Sequence, residues 1–258
     1  MSGRKEREIQ FQVTGEGDAV TLLHAMGSGL EMWAKQVTGL SPHFKVLTPN
    51  TRGFGENPGP PVYSLSTWVE DIQHLLSSLE IRKTCLVGFS MGGIIAAQFA
   101  LRFPDYLQGL VFAGSLGELS EAAVKMFQMR AELAKKEGIE PVVENTLNGF
   151  SEDFKKAHPE VINWYAGILR KNTPQGYAYA CRVLWESAGV LPLNQISCPL
   201  LVIRGIKDPL ISPEAVAQFK KRVPRAVFKE IPDCAHFAPL EQPEAFNTVL
   251  EGFLREIY

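Results

Sequence analysis

Ser90 stands in Gly88-Phe89-Ser90-Met91-Gly92, a G-x-S-x-G spacing that suits a hydroxyl nucleophile. The small neighbours have a steric purpose. A serine on a sharp turn between strand and helix is driven toward positive φ, and strand and helix pack around it only if flanking side chains are nearly absent. Gly88, Gly92 and Gly93 supply that room. The setting fits, because Thr84-Cys85-Leu86-Val87 is an apolar strand-like run and Gly93 to Ala100 an apolar helix-like run. Such a turn holds Ser90 at the positive end of a helix dipole. In other surroundings the same letters would be a glycine-rich turn and nothing more.

A serine hydroxyl attacks a carbonyl only when a base takes its proton. Of five histidines, His74 lies within a helical pattern, His43 follows Ser41-Pro42 in a loop, and His158 precedes a proline. These three read as surface residues. His236 follows the strand-like run Ala226 to Ile231, on a loop at the edge where open α/β sheets put their sites. The imidazole in turn needs an orienting carboxylate. Asp208 follows the run Leu200 to Gly205, and the order Ser90, Asp208, His236 suits a triad. Asp233 and Glu118 are weaker substitutes, Asp233 being too near His236 in sequence to orient it easily. Two backbone amides must hold the oxyanion. They are expected from Met91, just after the nucleophile, and from Met26 in the loop His24-Ala25-Met26-Gly27-Ser28-Gly29, with Gly27 as the alternative. His24 is expected to brace that loop through its ring.

The elements that must position these groups alternate. Strand-like runs at Ile9 to Val13, Ala19 to Leu23, Phe44 to Leu47, Thr84 to Phe89, Leu110 to Ala113, Leu200 to Arg204 and Ala226 to Ile231 are separated by helical patterns, clearest in Thr67 to Leu79. Continuous apolar strands with intervening helices predict a mostly parallel sheet covered on both faces. From Gly117 to Leu193 the alternation stops. Ser120 to Glu137, Pro159 to Arg170 and Thr173 to Ser187 read as helices, with start signals at His158-Pro159 and Thr173-Pro174. The domain reading is a core of 1–116 and 194–258 with a helical lid, 117–193, inserted between late strands. Lid aromatics, Trp164 among them, together with Met26 and Phe237, are expected to line a substrate pocket.

Composition sets outer limits. The 258 residues are 45% hydrophobic, enough for a large core, and 26 basic against 28 acidic residues leave a formal charge of -2 without long runs of one sign. That gives no footprint for nucleic acid or an anionic membrane. No apolar stretch approaches the roughly 20 residues of a membrane span. The charged start, residues 1–8, lacks the apolar centre of a secretory leader. Cys85, Cys181, Cys198 and Cys234 have neither C-x-x-C nor zinc-finger spacing, and reduced thiols in a cytoplasmic protein are expected.

Five stretches in order resemble the α/β-hydrolase family: His24 to Gly27, Asn50 to Gly55, Gly88 to Gly93, Gly205 to Pro209, and Ala235 to Phe237. Within it, Thr51 to Gly55 and Glu241 to Phe246 are similar to 3-oxoadipate enol-lactonases and related small carboxylesterases. Two positions depart from the family pattern: Ala25 stands where glycine is usual, and Asn50 where aspartate is usual, a change read as structural. The resemblance implies no metal and no organic cofactor. It implies cleavage of a small-molecule ester or lactone through an acyl-enzyme on Ser90, with no nucleic-acid or membrane partner. Hydrolysis of C–C bonds in ring-cleavage dienoates and cofactor-free perhydrolysis use the same groups and stay open, as does a ligand receptor on a hydrolase fold. Asp in place of Ser90 would have suited epoxide hydrolase or dehalogenase chemistry. Arg130, Arg170, Lys171 and Arg182 are the lid's candidates for pairing with a substrate carboxylate, but surface charge is the commoner outcome. An uncharged ester or lactone with a modest apolar acyl chain is therefore expected.

Overall fold

A computed structural model describes residues 9–55 and 64–258. The charged stretch 1–8, read above as lacking a secretory leader, lies outside the described residues. Strands β1 (Phe11–Thr14), β2 (Ala19–Leu23), β3 (Lys45–Pro49), β4 (Thr84–Phe89), β5 (Leu107–Ala113), β6 (Leu200–Gly205) and β7 (Val227–Ile231) form one sheet in the order β1-β3-β2-β4-β5-β6-β7. Only β1 runs antiparallel, against β3. The predicted mostly parallel sheet is what forms. β5 begins three residues earlier than its apolar run suggests, because Leu107 already pairs with Thr84.

Both faces of the central strands are buried. On β4, Leu86 joins one core cluster while Cys85, Val87 and Phe89 join the other, as the two-residue period of a strand requires. The first cluster is closed by α2 (Leu65–Ser78) and α3 (Met91–Arg102), through Trp68, Ile72, Leu76, Ile95 and Phe99. The second is closed by α1 (Ala34–Leu40) and α11 (Pro243–Ile257), through Leu40, Phe246, Leu250 and Leu254.

Between β5 and β6 the chain forms α4 (Glu121–Glu137), α5 (Glu140–Leu147), α6 (Glu152–Ala157), α7 (Pro159–Arg170) and α8 (Pro174–Glu186). Ser120, Ser151 and Thr173 accept the first free amides of α4, α6 and α8. α5 and α6 are not expected from the sequence, since eight and six residues give too few apolar repeats to reveal a helical period. After β6 come α9 (Pro213–Arg222) and, beyond β7, the short α10 (Ala238–Glu241). No helix among the described residues is long and apolar enough to cross a membrane.

Candidate active site

β4 and α3 meet at Ser90, whose φ of 53° lies in the left-handed region. A side chain there costs on the order of 1–3 kcal/mol, which the surrounding packing must supply. The surroundings explain why: a Cβ on Gly88 would lie 2.3 Å from the Gly92 carbonyl oxygen, and one on Gly92 would lie 2.4 Å from that of Leu23. Strand and helix are in contact through bare backbone, and the turn has no other way to go. Ser90 N–H donates to Ala113 O at 2.9 Å, which ties the turn to β5.

The loops after β6 and β7 bring Asp208 and His236 together. His236 Nδ1 donates to Asp208 Oδ2 at 3.0 Å, and both residues are buried. Burial works against the Asp208 charge. The charge and hydrogen bond of His236, the Leu210 amide at 2.8 Å and the charge of Arg204 together outweigh it and hold the carboxyl below its ordinary pKa. A donated Nδ1–H leaves Nε2 as the basic atom of the ring. Ser90 and His236 line the same two cavities, though no hydrogen bond joins Ser90 Oγ to the imidazole. The two weaker carboxylates lie elsewhere: Asp233 is exposed beside Lys207, and Glu118 pairs with Arg222.

His236 is also fastened from outside its own loop. Its N–H donates to Gly149 O at 2.9 Å. The buried carboxylate of Glu241 accepts Ala235 N–H at 3.1 Å and Ser151 N–H at 3.2 Å. The helical insertion and the histidine loop are thus joined through one acid. Nothing in the residue pattern near Glu241 marks that function, because both donors are backbone.

The loop after β2 carries Met26. His24 is buried, and its Nε2 accepts Thr51 N–H at 2.8 Å, so Nδ1 is the protonated nitrogen and donates to Ala25 O at 2.8 Å. Burial is the largest influence on the ring and lowers its pKa to about 4. The neutral ring therefore holds two loops together. Ser28 N–H donates to Ala25 O, and the Met26 amide has no backbone acceptor among the described residues. Met91 begins α3, where first amides have no intrahelical acceptor. Asn50 accepts Leu30 N–H at 2.6 Å and donates to Gln10 Oε1 at 2.7 Å, a two-sided role that an ionised aspartate, which only accepts, could not fill. Arg52 forms a buried two-point pair with Asp71, at 2.8 and 2.7 Å, and stays within the scaffold.

Two cavities open over Ser90 and His236, sharing also Met126, Phe127, Pro209 and Leu210. One, of about 270 Å³, runs past Met26 and Phe237 to Arg130 and Asn145. The other, of about 440 Å³, runs between α4 and α9 past Leu119 and Phe219 to Glu118 and Arg222. Trp164 lines neither. It is 42% exposed on α7, and it is its neighbour Tyr165 that turns inward. Arg130 is 8% exposed, and its Nε donates to Asn145 Oδ1 at 2.7 Å. No carboxylate among the described residues lies within ion-pair range of it. Its charge is felt nearby: burial raises the Tyr177 hydroxyl to about 12, and Arg130 is the largest opposing influence. A signal for this placement exists in the sequence, since Arg130 falls in the helical stripe Phe127, Ala131, Ala134. Among the described residues no three His, Cys, Asp or Glu side chains are grouped to hold a metal ion.

A thermophilic esterase from Thermogutta terrifontis, solved with malate bound, superposes with a TM-score of 0.89 at 31% identity, covering 96% of this chain and 93% of that one. An enol-lactonase from Burkholderia xenovorans gives 0.86 at 26% identity over 96% of each. In sequence, 3-oxoadipate enol-lactonase 2 of Acinetobacter baylyi is 28% identical, covering 96% of this chain and 93% of its own. A 2-hydroxy-6-oxo-2,4-heptadienoate hydrolase of Pseudomonas putida is 27% identical, covering 96% and 92%. The profile of the alpha/beta hydrolase fold matches residues 18–243, from the strand before the His24 loop to the first turn of α11, and the chain accordingly belongs to the α/β hydrolase family and is a hydrolase enzyme.

Proposed function

We propose that this hydrolase cleaves a carboxylic ester or lactone that carries a second, distal carboxylate. Ser90 Oγ attacks the scissile carbonyl while His236 Nε2 takes its proton, and the Met26 and Met91 amides hold the oxyanion. His236 returns the proton to the leaving alkoxide. Water then attacks the Ser90 ester with the same base, so that the net change is addition of water across the acyl C–O bond. Asp208 keeps the imidazole in the tautomer this requires. For a lactone the leaving alcohol stays attached to the acyl group. Residues 117–193 act as a lid over the core of 1–116 and 194–258, carrying Arg130, Asn145 and Gly149 to the site.

The observation that carries the reading is the buried guanidinium of Arg130 in the cavity beside Ser90. Of the four cations singled out in the insertion, Arg170 pairs with Glu140, Lys171 with Glu31 and Arg182 with Glu186, each cation with an exposed side chain. Arg130 alone of these is buried and without an acid among the described residues. A desolvated, unpaired charge is expensive unless a counter-ion arrives. This replaces the expectation of an uncharged substrate. The malate bound to the Thermogutta esterase, itself a dicarboxylate, and the names of the enol-lactonases support it.

The test compares kcat/KM for carboxylate-bearing lactones and esters with their neutral methyl-ester counterparts. A charge-assisted contact is worth roughly 1.5–3 kcal/mol, so an advantage of about 10- to 100-fold is expected, and Arg130→Gln should erase it while Arg130→Lys retains part. Equal rates for the two series in the wild-type enzyme would overturn the proposal. Mass addition at Ser90 by phenylmethylsulfonyl fluoride tests the nucleophile separately.

A further inference from the structure

The two cavities differ in chemistry as well as direction. The Arg130 branch is lined by polar groups, Asn145 bonded to the guanidinium and Asn148 elsewhere on its wall. The other branch is larger and is walled by Met91, Ile94, Leu116, Leu119 and Phe219. Half-buried alanines face it from both sides, Ala123 on α4 and Ala215 on α9. The Glu118–Arg222 pair also lines it, and there Arg222 donates to Leu191 O at 2.8 Å. Two branches leave one reacting serine in two directions.

A lactone without an apolar substituent leaves half of this arrangement unused. Its acyl and alcohol parts are one ring, and the ring with a carboxylate beside it needs only the Arg130 branch. The apolar branch would then hold nothing, although burying apolar surface is the main favourable term available to it. We propose that the preferred substrate is an open-chain ester with a carboxylate on one side of the scissile bond, held by Arg130, and an apolar chain on the other, held between α4 and α9. Monoalkyl esters of dicarboxylic acids have this form. The inference rests on the Ser90 and Arg130 reading above and adds the second branch. Bond making and breaking are unchanged: water adds across the ester, giving an acid and an alcohol, one carrying the distal carboxylate and the other the apolar chain.

The experiment measures kcat/KM for the methyl, butyl and hexyl monoesters of adipic acid, and for the reversed series, acetyl to hexanoyl esters of 6-hydroxyhexanoic acid. Each buried methylene is worth roughly a fourfold gain, so kcat/KM should climb along at least one series until the chain fills the branch. Ala123→Phe and Ala215→Phe fill the branch from opposite walls. Each should cut the ratio of the longest to the shortest ester by roughly tenfold or more. Two variants on separate elements guard against one failing to fold. A flat dependence in both series, with the carboxylate advantage intact, overturns this inference and leaves the proposed function standing. Absence of the carboxylate advantage with the chain-length gain intact overturns the proposed function and, with it, the Arg130 half of this inference, and leaves only the apolar branch assigned. An enol-lactone cleaved far faster than every open-chain ester also overturns the inference.

Discussion

Glu241 Oε1 accepts the N–H of Ala235 at 3.1 Å, one residue before His236, from a carboxylate that is 5% exposed. Its other oxygen accepts Ser151 N–H, so the acid joins the histidine loop to the helical insertion. Glutamine offers one acceptor and an NH₂ that opposes the second amide. Glu241→Gln should therefore cost about 1–3 kcal/mol of stability, the usual penalty for an unmet buried donor. Because the displaced backbone carries His236, kcat should fall roughly tenfold or more, as small misplacements do. Labelling of Ser90 by the sulfonyl fluoride should slow in parallel, since it needs the same base. A melting-point loss with unchanged kcat and labelling would reduce Glu241 to a scaffold role.

Ser90→Ala should lower kcat by on the order of 10⁴ or more with the fold intact, and His236→Ala nearly as much. The double variant should cost little beyond either single one, because groups acting as a unit are not additive. Asp208→Asn should lose on the order of 10⁴ through the wrong imidazole tautomer. If Asp208→Asn stays active while Asp233→Asn does not, the carboxylate is misassigned. Steady-state kinetics with one ester substrate decides the set.

Much of this was legible in the residues. The parallel sheet follows from apolar strands at regular spacing, and β4, whose six residues are all buried, is the clearest case. Ser90 could be found because glycine is the only residue that fits Gly88 and Gly92, so the constraint is written in residue type. Asp208 and His236 share the property of following a strand. The contacts of Glu241 and Gly149 were not legible, since they use backbone atoms that any residue supplies. Nor was the fate of Trp164, because on α7 it is one helical step from Tyr165, and only packing decides which of two neighbouring aromatics faces inward. α5 and α6 are too short to show a period.

Gly88→Ala tests the elbow itself. The added methyl would sit 2.3 Å from Gly92 O and 2.6 Å from Gly93 Cα, both backbone atoms that cannot turn aside as a side chain can. Separating β4 from α3 disturbs a fully buried contact, and overpacking of that kind costs roughly 1–3 kcal/mol or more. The variant should melt lower and lose activity even where it remains folded, because Ser90 moves with the turn. A variant with wild-type melting and wild-type kcat would mean that strand and helix are not held as closely as the geometry implies.

His24 gives stability a dependence on pH whose sign follows from its ring. In the native state the imidazole accepts Thr51 N–H and has a pKa lowered to about 4, chiefly by burial; unfolded, it returns to its ordinary value of 6.5. Between those values the unfolded chain binds a proton that the native chain does not, so stability falls as pH drops. The contribution is complete above 6.5, shrinks from there toward pH 4, and stays lost below it, amounting to about 3 kcal/mol. Asp208 adds to the loss at still lower pH, since a carboxyl held below its ordinary pKa gives up its contribution only as pH falls through the folded value. Urea midpoints for the wild type and His24→Gln at about pH 7 and about pH 4.5 isolate the His24 share. The variant should be less stable at the higher pH, because glutamine cannot span both loops, and should lose less on acidification. Equal losses in the two proteins would show that His24 keeps its ordinary proton affinity in the folded state.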